Sequence, residues 1–263
     1  MIDAEFAPLL QLRGDIKTFS VFEVPEIPIQ RGLLLPDPYV LLVFNCGSPI
    51  LSIAEDGREF ELPRAFVGGL QAKPFHIQAE GTLRNIAVCL YPWALQTLIG
   101  VPTRIANTSL ITLDGIWNDL AQTLATIVRQ RGFAEAVDCL QQFVSSVYRP
   151  DAALAPIRAA GERLFASQGR LRIGELAAQS YLSPSQFERS FKHLTGISPK
   201  AFARLIRFDS MRECLTSNPS IRPLDLALDY GYSDQAHLIR EFRSFADCTP
   251  GEYAQGLRAN SPA

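Results

Sequence analysis

The chain has 263 residues, 47% hydrophobic and 20% charged, enough for two domains of ordinary size that each bury a core, and too apolar for intrinsic disorder. Its longest apolar run near the start, "YVLLVF" at 39–44, is far short of the roughly 20 residues of a membrane span, and "MIDAEFAPLL" carries acids where a signal peptide carries positive charge; a cytoplasmic protein with no membrane partner is expected. The net charge of −2 divides unevenly, because residues 1–155 hold 11 Lys and Arg against 16 Asp and Glu while residues 156–263 hold 14 against 11, so only the second part is suited to face a polyanion.

The first hundred residues read as strands and turns. "TFSVFEV", "YVLLVFNC", "PILSIAE", "AFVGGL", "FHIQAE" and "RNIAVCLY" alternate or run apolar and are separated by Pro, Gly, Asp and Asn, which predicts a compact antiparallel sandwich or barrel. From Pro92 the period changes. "PWALQTLIG", "GIWNDLAQTLATIVRQRG" and "FAEAVDCLQQFVSSVY" repeat apolar residues at helical spacing, as in Ile116, Leu120, Leu124 and Ile127, with Gly132 as a stop. "YRPDAALAP" at 148–156 reads as a boundary, giving domains 1–150 and 155–258 and an α+β chain whose second part is all helix.

That second part contains a repeat. Leu176 and Ala177 correspond to Leu226 and Ala227, and Phe187, Phe191 and Pro199 correspond to Leu238, Phe242 and Pro250. Each copy is a short amphipathic helix, a tight turn and a second amphipathic helix, which is the helix-turn-helix pattern. Ser183, and Ser233 or Asp234, are expected to cap the second helices. A helix from Pro199 to Leu215 joins the units as a stiff spacer, and its Lys200, Arg204, Arg207 and Arg212 add positive charge.

In the first unit Phe187, Ser190, Phe191 and Leu194 form the stripe expected to be buried, leaving Ser185, Gln186, Glu188, Arg189 and Lys192 outward. In the second, Leu238, Phe242 and Phe245 are inward and Gln235, Ala236, His237, Arg240 and Arg243 outward. A helix of this width fits the major groove, where Arg pairs with guanine, Glu accepts from cytosine and Gln reads adenine. One such face is usually only solvated; two matching faces on a basic spacer point to double-stranded DNA. Arg189 and Arg240 stand at equivalent places and are the expected base readers, while Lys192, Lys200 and Arg243 are expected on phosphates.

At these residues the sequence resembles the AraC/XylS family of bacterial transcription regulators, through "GISPKAFARLIRF" and "GYSDQAHLIREFRSFADCTPGEY" and over about Ala155 to Gly256. The resemblance implies base contacts at Ser185, Glu188 and Arg189, then at Ala236, His237 and Arg240, and implies promoter DNA and RNA polymerase as partners. Ala236 departs from the polar residue often found there. More weakly, "LLLPDPYVLLVFNCG" and "GGLQAKPF" resemble a poorly characterised subgroup of cupin-like sensor domains, which implies a small barrel for a small-molecule effector or for a homodimer, and names no ligand. The implied function is an effector-responsive activator.

Two other readings stay open. A regulator that senses nothing would use the barrel only to dimerise, and the stripe Ile116, Leu120, Leu124, Ile127 and Val128 is the candidate contact, unless it is used within one chain. An enzyme fused to a DNA-binding module, in the style of alkylation repair, would need a reactive cysteine, yet Cys46 and Cys89 lie in apolar strands. Five cysteines without a Cys-x-x-Cys pair, and only His76, His193 and His237, give no metal spacing; no catalytic group, metal or cofactor is expected. Trp93, Phe66, Phe75, Phe44 and Tyr91 are expected as core in preference to pocket, and Arg84 and Gln71 either orient a ligand or face solvent.

Overall fold

A computed structural model describes residues 1–54, 56–70, 74–100 and 110–260; Gln71 and the side chain of Phe75 fall outside these. Among the described residues eight antiparallel strands form one sheet: β1 (Ile2–Phe6), β2 (Ile16–Leu34), β3 (Val40–Asn45), β4 (Ile50–Ile53), β5 (Glu59–Glu61), β6 (Ala65–Gly68), β7 (Phe75–Leu90) and β8 (Ile111–Thr112). Their order is β1-β2-β7-β3-β6-β8, with β4 joining β7 to β5. Among the described residues no helix is long and apolar enough to cross a membrane.

The long strands β2 and β7 differ from the sequence expectation for a local reason. "FHIQAE" and "RNIAVCLY" are one strand, because Gly81 adopts φ 80° at a register shift opposite Ile27, where the ladder bends without ending. Pro25 and Pro28 likewise suggested a break, but β2 carries them through irregular pairing between Val24 and Gln30. β7 is then long enough to pair β3 with its second half and β4 with its first.

The sheet has two different faces. Val40, Leu42 and Phe44 alternate with Leu41 and Val43 along β3, and the first set is buried in the main core. That core is closed by α2 (Ile116–Arg131) and α3 (Phe133–Val147), which follow the short α1 (Leu95–Ile99). α2 packs on β3, β6 and α3. Leu120, Leu124 and Val128 of α2 and Ala136, Val137, Leu140 and Val144 of α3 are buried. The stripe considered as a dimer contact is therefore consumed inside one chain, with only Ile116 of it exposed.

The C-terminal helices are α4 (Ala155–Ala166), α5 (Ile173–Gln179), α6 (Pro184–Thr195), α7 (Pro199–Ser217), α8 (Pro223–Asp229), α9 (Gln235–Ala246) and α10 (Pro250–Asn260). α5–α6 and α8–α9 are the two helix-turn-helix units, and α7 joins them over about 28 Å at 1.5 Å per residue. The turn of each unit needs one residue in the left-handed region; the second uses Gly231 (φ 72°), the first Tyr181 (φ 55°).

The stretch 148–156 is no loose linker. Asp15 is buried and accepts hydrogen bonds from the Tyr148 hydroxyl and, at 2.8 Å, from Arg158 Nη2. Trp93, fully buried, donates its indole N–H to the Gly14 carbonyl at 3.0 Å and lies on Gly161 of α4. Phe165 of α4 stacks on Tyr39 at 5.0 Å and meets Tyr91 edge-on at 5.3 Å. Trp93 and Phe44 are core, as expected; Tyr91 belongs to this aromatic seam.

Two consequences are measurable by chemical denaturation. A β-carbon on residue 161 would stand 2.1 Å from the Trp93 ring, so Gly161→Ala should destabilise the full chain by about 1–3 kcal/mol through overpacking. Leu124→Glu should unfold the N-terminal part, since it buries an unpaired carboxylate; a folded variant that merely changes from dimer to monomer in sedimentation would contradict the intramolecular use of this stripe.

Candidate nucleic-acid interface

The two outward helices each start at a side-chain cap. Ser183 and Gln186 form a reciprocal capping box at the start of α6, with Pro184 in the first turn. α9 is capped by Asp234, whose Oδ1 accepts the His237 N–H at 2.7 Å. That bond, and a second from Ser233, hold the Asp234 carboxyl below its ordinary range. Ser233 meets the Nδ1 of His237 at 3.3 Å, and the imidazole stands edge-on to Tyr232 at 5.2 Å. Of the two caps offered by the sequence, Asp234 is the one used, and Ser233 orients the histidine.

The outward faces lie where the spacing put them. Ser185, Gln186, Glu188, Arg189, Lys192 and Lys200 are exposed, as are Gln235, Ala236, His237, Arg240 and Arg243. Phe187, Phe191, Leu238 and Phe242 are fully buried beneath them. Gln186 differs from the rest, because its Oε1 is committed to Ser183 at 3.2 Å and 2.9 Å. Among the described residues, the side chains of Arg189, Lys192, Arg240 and Arg243 make no hydrogen bond or ion pair.

The spacer helix is a different case from the one its composition suggested. Arg204 donates to Glu241 Oε2 at 2.8 Å, and Arg207 lies 3.9 Å from the other oxygen, which also accepts the Tyr232 hydroxyl at 2.7 Å. Arg212 is held by Asp209 and faces Asp37 of the sheet domain at 3.9 Å. Of the four basic side chains on α7, Lys200 alone makes no hydrogen bond or ion pair among the described residues. It shares an open cleft of about 450 Å³ with His237, Arg240 and Ser244.

Glu241 was missed in reading the sequence, although its place three residues after buried Leu238 marks it as inward. It is buried and ties α9 to α7 through two arginines, and to the turn before α9 through Tyr232. Such a carboxylate holds the recognition helix at one angle to the spacer. Glu241→Gln leaves Arg204 and the half-buried Arg207 without a charged partner, and should lower stability by about 1–3 kcal/mol; denaturation of the full chain measures it.

A separate cavity of about 610 Å³ lies on the other face of the sheet, lined by Leu41 and Val43 of β3, Phe66 of β6, Asn85 and Ala87 of β7. Arg212 of α7 and Tyr253 of α10 close one side. Phe66 is thus a wall of the cavity as well as core. Arg84 is paired with Glu23 across β2 and β7 and does not reach it. Cys46 and Cys89 are pushed up to about 11, mainly by burial, so both stay thiols at neutral pH. Among the described residues no group of three or more His, Cys, Asp or Glu is placed to hold a metal.

The family described as "Helix-turn-helix domain" matches residues 176–256. Residues 176–256 form an AraC-type helix-turn-helix domain. A second family, "Domain of unknown function (DUF6597)", matches residues 4–110. The regulatory protein PocR of Salmonella typhimurium is 35% identical over 92 residues, 35% of this chain and 30% of that protein. The XylDLEGF operon transcriptional activator 2 of Pseudomonas putida is 27% identical over 128 residues, 48% of this chain and 71% of that one. The chain thus spans under a third of the length of PocR and more of the second relative. ToxT of Vibrio cholerae, in a structure with an unsaturated fatty acid bound, superposes with TM-score 0.50 at 10% identity over 93% of this chain and 97% of its own. The AraC-type domain and the sheet before it therefore share one two-part architecture with ToxT.

Proposed function

We propose that this chain is a sequence-specific, DNA-binding transcription regulator, an activator, in which residues 1–150 take up a small-molecule effector and residues 155–258 read promoter DNA. One observation carries the reading: among the described residues the basic side chains on the two outward helix faces are exposed and make no hydrogen bond or ion pair, while Arg204, Arg207 and Arg212 next to them are engaged by carboxylates. Cations exposed on a pair of repeated, capped helices are available for phosphates and base edges. The named relatives are regulators, which supports a non-enzymatic role, and the protonated cysteines offer no support for repair chemistry. Contact with RNA polymerase and residence in the cytoplasm, beside the promoter, belong to the same proposal and rest on the family likeness.

The cavity favours an effector-responsive regulator over one that senses nothing. It is mostly apolar with a few inward polar groups, the usual form of a small-molecule site, and it touches both parts of the chain. ToxT, of the same fold, is known with an unsaturated fatty acid bound. A homodimer would need a surface other than the α2 stripe.

Arg189→Ala and Arg240→Ala should each weaken binding to a selected duplex by about 1–3 kcal/mol and relax base preference at one position. Lys192→Ala and Arg243→Ala should weaken binding to all sequences and lower the salt dependence. Selection from a random duplex pool with full-length protein, followed by anisotropy titration at several salt concentrations, checks both. Unchanged discrimination in both arginine variants would mean that the helices do not enter the groove as proposed.

A further inference from the structure

Resting on the reading of the cavity as an effector site, we propose that its ligand is an apolar molecule ending in a hydrogen-bond-donating head group, a hydroxyl, amide or amine, and that the site rejects a fatty carboxylate. The argument is one of charge and unpaired atoms. Two carboxylates, Asp37 and Asp209, share one guanidinium at the polar end of the cavity. Arg212 is held by Asp209 through both Nε and Nη2, and reaches Asp37 only at 3.9 Å. It is not a vacant anion site.

The remaining charges do not reverse this balance. Lys17 is exposed and lies with its ammonium 4.3 Å above the Tyr39 ring, so its field is screened by solvent. Glu213 adds negative field on Tyr39. Asp37 also accepts the Tyr39 N–H at 2.8 Å. Its carboxyl is nonetheless pushed up to about 6, first by burial and then by the neighbouring Asp209 carboxylate, effects that Arg212 and Lys17 do not offset. A ligand carboxylate there would be the third anion around one guanidinium.

Asn85 supplies the second observation. Its side chain lines the cavity, and its Oδ1 is buried with no hydrogen-bond partner among the described residues. A buried acceptor without a donor is costly, and a ligand N–H or O–H would satisfy it. The other walls, such as Leu41, Val43, Ile50, Phe66 and Ile77, are apolar and fit an alkyl or aryl body. Asn85 and Asp37, one from the sheet and one from the loop before β3, are thus both acceptors. A donor head group placed near Asp37 also stands beside Arg212 of the spacer helix, so occupancy would be felt by the DNA-binding part.

The experiment uses full-length protein near pH 7.5 and N-phenyl-1-naphthylamine, an apolar fluorophore with one N–H donor. Ten-carbon competitors differing only in head group, 1-decanol, decylamine and decanoate, are titrated against it. Decanol and decylamine should displace the probe at concentrations at least about tenfold lower than decanoate, about 1.4 kcal/mol. Asp37→Asn, which keeps an acceptor for the Tyr39 N–H, should shrink the decanoate penalty to within about threefold; Asn85→Leu should weaken decanol and decylamine but not decanoate. Decanoate competing as well as the other two in wild type, or a penalty unchanged in Asp37→Asn, overturns the head-group assignment and leaves the cavity reading standing. Failure of the fluorophore to bind, or of all three competitors to displace it, overturns the cavity as an effector site and the assignment with it. The wild-type comparison decides even if a variant does not fold.

Discussion

The contact between Trp93 and Gly161 is the constraint on which the arrangement of this chain depends. A fully buried indole can lie flat on a helix only where no β-carbon intervenes, and a β-carbon at 161 would fall inside the ring's contact distance. Around it Phe165 joins Tyr39, Tyr91 and Phe202, so one aromatic seam runs from the sheet into the spacer helix. Asp15 adds a buried charge that accepts from Tyr148 and Arg158 on either side of the boundary. Breaking this seam would expose several large rings and leave a buried carboxylate unpaired, both of which cost more than a surface contact returns. The α4 helix is therefore a shared element, and the first recognition helix, which packs against the Pro92–Ala94 turn, inherits its orientation from the sheet domain.

With the two parts locked together, the assignment of each cation follows from whether a carboxylate is within reach. Arg204 and Arg207 find Glu241, Arg212 finds Asp209, and Arg158 finds Asp15. These fix angles between helices and domains. Arg189, Arg240 and Arg243 make no ion pair among the described residues and remain exposed. The division separates paired arginines that fix helix angles from exposed ones on neighbouring elements. Three buried carboxylates, Glu241, Asp209 and Asp15, thus take the inward arginines, and the outward ones stay exposed.

The same closure defines the cavity. Because strands alternate their side chains, filling one face of the sheet with α2 and α3 leaves Leu41, Val43, Asn85 and Ala87 pointing the other way. The C-terminal helices cover part of that second face with Arg212 and Tyr253. A molecule bound in a cavity walled by both parts would make different contacts in any two relative placements of them, the condition for coupling one part to the other.

Read from the residues alone, the helical periods, the repeated unit and its outward faces were legible, because capping and 3.6-residue spacing are local. Ser183 caps as its position predicts, Asp234 is one of the two caps offered for the second unit, and Phe187, Phe191, Leu238 and Phe242 are buried. The long β2 and β7 were not, since Gly81, Pro25 and Pro28 look like breaks until a partner strand absorbs them as bulges. Nor could composition separate Arg204 from Arg240, or show that the stripe of α2 is covered by its own chain. Each of those outcomes depends on a residue distant in sequence: Glu241 for the spacer arginines, the sheet and α3 for Leu124, Gly161 for Trp93. Local structure was determined by neighbours along the chain, whereas which charges are free, where the cavity lies and how the two parts are joined were decided by tertiary contacts, because charge pairing and burial are properties of three-dimensional proximity.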